Sequence, residues 1–451
     1  MLKYLFDFDD TLWSRDISEE EISIDNIRKL NLLDNAIIIS GNTFDSIKDK
    51  IIKALGSLDN CNFDIWADAN TTLYRKGTEM YSIKELEIDE DSILLDKIKE
   101  LKLEDKMSII RNSNNKIVNI KIKPVEDRDR ICKLLQNDKY KVIKAGKTTI
   151  DILNINNSKL YTYNNEIKGI EDKSARFIYF GDEIYNGNDF DIAHECNDFI
   201  EIKDIRQTNK ILDNLIKNKT FTYGLIIAAG KQTRFTSDIP KALVKIKNTT
   251  LLDMNIENMK EYCDKIYVVC SFNNEEYFDR YNKIPIESGK GNGDAILKAL
   301  DIIDNDYCNC IIKWGDAYHD KEIYKEINFN NKLVIPVKYE ENPYVQLYTD
   351  TENNIEKVTF SKYNEKITDG YHDLSIFYVN IGYIREYLIK FANKITINGN
   401  YVHKHNNELE FLDLFNDTDI IGKIQIINDD NIFSFNTIEE LNKIMENRYE
   451  N

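Results

Sequence analysis

Two spacings of apolar residues alternate along the chain. Short runs rich in Ile, Val, Tyr and Phe are bounded by polar residues, and longer charged segments with one apolar face separate them. The runs predict buried strands and the longer segments amphipathic helices, so the alternation predicts an α/β protein with largely parallel sheets. It occurs twice. The first series contains Leu2 to Phe6, Ala36-Ile37-Ile38-Ile39 and Phe177-Ile178-Tyr179-Phe180. The second contains Gly224-Leu225-Ile226-Ile227-Ala228-Ala229, Lys265-Ile266-Tyr267-Val268-Val269 and Cys310-Ile311-Ile312-Lys313-Trp314. Each run ends in polar residues, where open α/β sheets place their ligands. Gln207 to Lys219 reads as the helix that closes the first series, which divides the chain into domains at 1–220 and 221–451. Residues from about 78 to 155 interrupt the first series with a βαβ-like insert, the position expected of a lid over a site.

At 451 residues the chain exceeds the usual reach of a single core, and 42% hydrophobic residues with 26 Tyr and 20 Phe supply enough material for two. A net charge of -18 excludes a nucleic-acid backbone or an anionic membrane surface as the main partner, since either demands a basic face. An anionic ligand must therefore be met locally, by Lys, Arg, backbone N–H groups or metal. The seven cysteines are scattered, and the close pair Cys308 and Cys310 lacks a second pair to complete a zinc site, so reduced thiols are expected. Met1 leads straight into the first strand run with no basic or long apolar segment, which predicts a cytoplasmic protein with no membrane span.

In Phe6-Asp7-Phe8-Asp9-Asp10-Thr11-Leu12, two carboxylates stand two residues apart directly after a strand, where alternate positions share a direction. A carboxylate that attacks a phosphoryl group needs a second carboxyl to shuttle the leaving group's proton, and Mg to offset charge. Asp7 fits the nucleophile and Asp9 the acid and base. After the next strand, Ser40-Gly41-Asn42 offers a hydroxyl and free amides for a phosphate oxygen. Gly181-Asp182-Glu183 and Asn188-Asp189 supply hard oxygen ligands, so Asp7, Asp9, Asp182 and Asp189 form the candidate metal set.

In this order, DFDDT, the Ser40 strand end, a lysine and GDExxxGND resemble the motifs of the haloacid dehalogenase superfamily, over roughly residues 1 to 215. The resemblance implies that Lys159, in Asn156-Asn157-Ser158-Lys159, neutralises charge on the nucleophile and phosphate. It also implies a core with an inserted α/β cap. Within the superfamily, the cap position is similar to that of sugar phosphatases and phosphomannomutases. That branch usually has Gly where Asp10 stands here. Arg111, Lys121 and Lys123 in the insert are candidates to grip a substrate's distal groups or simply a solvated face.

In the second series, Ala229-Gly230-Lys231-Gln232-Thr233-Arg234-Phe235 follows a strand and Pro240-Lys241 comes shortly after. A loop that approaches a triphosphate needs small residues and free N–H groups, with fixed cations to offset the departing pyrophosphate. Ala229, Gly230 and Thr233 suit the approach, and Lys231, Arg234 and Lys241 the charge. The segment resembles the signature of the sugar-phosphate nucleotidyltransferases, in particular UDP-N-acetylglucosamine pyrophosphorylase domains, and the resemblance covers about residues 223 to 445. It implies a mixed, GT-A-like sheet. It also implies that Gly291, Gly293 and Asp294 form a nucleobase-binding turn, and that Asp316 and Asn436 hold the catalytic metal. Gln232 stands where the loop usually has Gly, and Ser361 where sugar-binding members carry Glu. Tyr344, Tyr371 and His372 are read as packing or rim residues that could also touch an acceptor.

The expectation is a bifunctional Mg-dependent enzyme of activated-sugar synthesis. It would join an NTP to a sugar phosphate with loss of pyrophosphate, and carry a phosphatase or phosphomutase acting through an aspartyl phosphate. A CDP-alcohol or phosphocholine-type cytidylyltransferase with a phosphatase domain, and a chain with one inactive, regulatory domain, stay open as alternatives.

Overall fold

The structure, a computed structural model, describes residues 1–451 except 90–91, 113, 124, 146–147, 171–173, 186, 188, 231–234, 236–238, 288, 327–330, 364, 404–406, 428–431, 436, 438 and 444–451. The chain divides into two compact units, Met1–Ile216 and Lys217–Asn451.

The first unit is built on a seven-stranded sheet in the order Asp198–Glu201, Arg176–Gly181, Leu2–Phe6, Ala36–Ile39, Asp64–Ala67, Thr72–Tyr74, Tyr81–Ser82. The first five strands are parallel and the last two fold back antiparallel. Leu5, Phe6, Ile38, Ile39, Ile178 and Phe180 are all fully buried. Cover on both faces explains why these runs are continuously apolar rather than alternating. Helix Phe44–Leu55 shows how the segments between strands are specified. Thr43 caps it by accepting from Ser46 N–H, Phe44, Ile47, Ile51 and Ala54 form its buried stripe, and Gly56 ends it at φ 81. A cap of this kind contributes about 1 kcal/mol.

The insert departs from a simple βαβ unit. Its four strands lie in the order Met107–Arg111, Ile117–Ile122, Thr149–Asn154, Tyr140–Ala145, and every pairing is antiparallel. The strands on either side of helix Arg128–Leu135 do run the same way, but Thr149–Asn154 lies between them. The sequence is compatible with both arrangements because hydrophobic spacing fixes a strand's faces and not its neighbour. The insert has its own core, with Ile98, Leu135, Ile150 and Ile152 at its centre.

The second unit is built on a ten-stranded mixed sheet. Lys283–Ile286, Lys265–Ser271, Thr222–Ile227 and Asn309–Trp314 are parallel neighbours in that order, and Ile376–Asn380 then joins antiparallel. The antiparallel part continues through Leu333–Glu340, Gly370–Asp373, Val345–Thr349 and Ile355–Phe360. A short ribbon pairs Ala317–His319 with Ile432–Ser434. No described helix is long and apolar enough to cross a membrane.

Candidate active sites

In the first unit, the Leu2–Phe6 strand lies between Arg176–Gly181 and Ala36–Ile39. Chain connections leave it in opposite directions there, and the crevice beyond such strand ends is where open α/β sheets bind ligands. Asp7 continues the sheet through Asp7 N–H to Phe180 O at 2.8 Å. Its carboxylate then meets Lys159 from a distant segment, with Nζ donating to Asp7 Oδ1 at 2.7 Å, Asp189 Oδ1 at 2.6 Å and the Tyr179 hydroxyl at 3.2 Å. Tyr179 in turn donates to Asp189 Oδ1 at 2.8 Å. Gly181 makes the approach possible, because a Cβ there would overlap Asp189 Oδ2 and the Tyr179 ring.

Oxygens of Asp7, Asp182 and Asp189 lie within 4.8 Å of one another. Asp189 Oδ2 is buried with no hydrogen-bond partner. One ammonium thus faces three carboxyls, and burial and mutual repulsion are reflected in the acidity of Asp7 and Asp182. Burial, opposed by Lys159 and reinforced by Asp189, pushes Asp7 up to about 7, and burial followed by Asp189 pushes Asp182 up to about 6. Burial works against the Lys159 charge, but Asp189 and Asp7 outweigh it and hold its pKa above the ordinary lysine value. Three hard oxygen donors around an orphaned carboxylate oxygen fit a Mg ion.

Asp9 is not in that group. Its carboxylate accepts from Asn42 Nδ2 at 2.8 Å and lies 3.6 Å from both Lys50 and Arg15. The strand periodicity that aligned it with Asp7 stops at Phe6, and the chain turns through Asp10 at φ 55, with Leu12 and Trp13 N–H both donating to Phe8 O. Asp10 therefore takes the left-handed conformation for which Gly is the usual residue. Ser40 is buried and its Oγ accepts from Asn42 N–H at 3.1 Å, while Gly41 has open space around it. Asn188 lies outside the described residues. In the insert, Arg111 donates to Asn115 O at 3.0 Å and Lys121 pairs with Asp151 at 3.9 Å, so both are engaged within it. Sequence reasoning missed Tyr179, Arg15 and Lys50. No motif marks them, since a strand tyrosine and two surface cations look alike wherever they occur.

In the second unit, Lys241 Nζ donates to Asp316 Oδ2 at 2.7 Å and lies 5.1 Å from the Phe435 ring centre. Lys241 is buried and begins a short 3-10 turn after Pro240, whereas the Asp316 side chain is 43% exposed and open to a ligand. Ala229 is buried, and Gly230 is exposed with nothing within 4 Å of a Cβ position. Lys231, Gln232, Thr233, Arg234 and Asn436 lie outside the described residues, and among the described residues no group of three metal-type donors includes Asp316.

The turn expected to bind a base has a packing role. A Cβ on Gly291 or Gly293 would overlap the Leu409 backbone, Gly293 N–H donates to Leu409 O at 2.8 Å, and Phe411 N–H donates to Asn292 Oδ1 at 2.7 Å. Asp294 accepts from the Tyr401 hydroxyl at 2.7 Å and pairs with Lys298 at 2.8 Å. Ser361 Oγ donates to Tyr344 O, His372 Nδ1 meets Val345 O, and Tyr371 packs edge-on against Tyr339. Lys313 and His319, both fully buried, contact each other through Nζ and Nδ1. Burial pushes Lys313 down to about 7, and burial followed by Lys313 holds His319 well below the usual imidazole range. A lysine inside the run Cys310 to Trp314 was the available signal for this pair.

Residues 224–317, which span Gly230, Lys241 and Asp316, match the family described as the MobA-like NTP transferase domain. The C-terminal region is a MobA-like NTP transferase domain. It is related to the bifunctional protein GlmU. The protein of that name from Methanocaldococcus jannaschii is 29% identical over 142 residues, covering 29% of this chain and 34% of that protein. The one from Methanococcus maripaludis strain C5 is 30% identical over 120 residues, 25% and 28% of the two chains. The chain thus spans about a third of the length of the curated relatives it matches. Among solved structures, a CTP:phosphocholine cytidylyltransferase from Streptococcus pneumoniae is similar at TM-score 0.39 and 14% identity, over 50% of this chain and 98% of that one. An inositol-1-phosphate CTP transferase from T. maritima is similar at TM-score 0.41 and 14% identity, over 50% and 94%.

Proposed function

We propose that the second unit transfers a nucleotidyl group from an NTP to a phosphorylated small molecule, a sugar phosphate by preference, and releases pyrophosphate. The observation that carries the reading is the Lys241–Asp316 pair just beyond the end of the Asn309–Trp314 strand, inside the stretch that matches NTP transferases. An acceptor phosphate is already ionised, so in-line attack on the α-phosphorus needs no protein nucleophile, only positioning and charge neutralisation. Lys241 serves the second need, and Arg234 is proposed to share it.

The first unit is proposed as a haloacid dehalogenase-type phosphatase or phosphomutase. Its support is the buried set of Asp7, Lys159, Asp182 and Asp189. Asp7 Oδ2 attacks phosphorus, the bond to the leaving oxygen breaks, and Asp9 delivers that oxygen's proton. Lys159 holds the nucleophile in place and balances its charge. Water or a second substrate hydroxyl then takes the phosphoryl group from Asp7, with Asp9 accepting the proton. Magnesium, when bound, supplies charge neutralisation between carboxylate and phosphate; Asp7, Asp182 and Asp189 would hold it in the first unit, Asp316 with Asn436 in the second.

Each NTP should be assayed against a panel of sugar phosphates and phosphorylated alcohols for pyrophosphate release, and the same panel for phosphate release. Asp7→Asn is expected to abolish the phosphate signal alone, and Asp316→Ala the pyrophosphate signal alone. Loss of both from either change would contradict two independent sites.

A further inference from the structure

Neither proposed reaction uses Lys313, yet its position is an expensive one for an amine. It lies on the Asn309–Trp314 strand between Ile226 and Ile376 of the neighbouring strands and is fully buried. A lone ammonium there is strongly disfavoured, and core packing alone would be served by Met or Leu. Its Nζ reaches His319 Nδ1, on the last residue of the Ala317–His319 strand. Residues 314–318, Asp316 among them, lie between the two, so the contact is a clasp across the turn that carries Asp316.

Other ties fix what the clasp holds. Gly315 N–H donates to Ile227 O at 2.9 Å and Trp314 N–H to Ser375 O at 3.0 Å, which seats the turn against the sheet. Asn255 and Asn258 side chains donate to Ala317 O at 3.0 Å and His319 O at 2.7 Å. Ala317 pairs with Ser434, so the same strand sets the path into Phe435, whose ring lies against Lys241. One buried contact thus bears on both sides of the Lys241–Asp316 pair.

We propose that the Lys313–His319 pair is a positioning device that holds Asp316 in place for a divalent cation. Neither side chain touches substrate, and the inference rests on the nucleotidyl-transfer reading of this unit. The test uses the full chain and Mn2+ as probe, followed by electron paramagnetic resonance, with the binding lost in Asp316→Ala identifying the site. Lys313→Met is expected to weaken that binding by about tenfold or more, the range for groups that orient a metal ligand. Lys313→Met with His319→Leu, which replaces both buried polar partners by apolar side chains, should weaken binding equally while melting near the wild-type temperature, so that lost binding is not lost fold. His319→Asn, which keeps an acceptor for Nζ, should retain more of the binding than His319→Leu. Wild-type Mn2+ affinity in Lys313→Met overturns the inference, and so does a melting temperature of the double variant that falls in step with its affinity. Mn2+ binding that Asp316→Ala leaves intact shows instead that the metal reading of Asp316 is wrong, and the inference falls with it.

Discussion

At the scale of single residues, charge balance around Asp7 sets how the first unit responds to pH. Asp7 and Asp182 sit at about 7 and about 6, above their unfolded value of 3.8. The folded state therefore holds protons the unfolded chain has released. Stability from these groups is fully present below that unfolded value and is lost as pH rises through the folded ones. Above neutrality three carboxylates face one ammonium, so a divalent cation has most to offset there. The Mg-induced rise in melting temperature should grow from about pH 5 to about pH 8; an equal shift at both would count against a metal among these carboxyls. Gly181 is the second sensitive residue. Gly181→Ala puts a methyl where Asp189 Oδ2 lies, so the carboxylate must leave Lys159. A displacement of that size costs on the order of a hundredfold in rate. Phosphate release should fall accordingly while pyrophosphate release is unchanged.

At the scale of elements, the strands were the legible part. Leu2–Phe6, Ala36–Ile39 and Asn309–Trp314 are runs whose continuous apolarity matches burial on both sheet faces. The insert was legible only as strands and helices, because its order depends on which edges meet. Asp9 shows a similar limit, since period two predicts direction only while the chain stays extended. The glycines of the Gly291 turn are legible as a need for space, but sequence does not say whether a ligand or the Leu409 segment occupies it. In the structure the Leu409 backbone lies there, and Gly291 stands at φ 101. Gly291→Ala should therefore lower the stability of the second unit by about 1–3 kcal/mol, from strain and overlap together. Urea unfolding followed by Trp314 fluorescence would measure it, and an unchanged midpoint would leave the packing explanation without support.

At the scale of the whole molecule, contacts separate at Ile216 and Lys217, and each unit has its own cores. Chains 1–216 and 217–451 made separately should each unfold cooperatively and keep one of the two activities; an aggregated or non-cooperative half would show that it depends on the other. The first unit contains one further mechanical link. The insert's last strand ends at Asn154, and the helix that carries Lys159 begins at that residue. The five residue steps from Asn154 to Lys159 can span no more than about 18 Å even when fully stretched. Any swing of the insert beyond that leash must drag the helix with it and unseat the ammonium from Asp7, so opening wide and staying armed are mutually exclusive states.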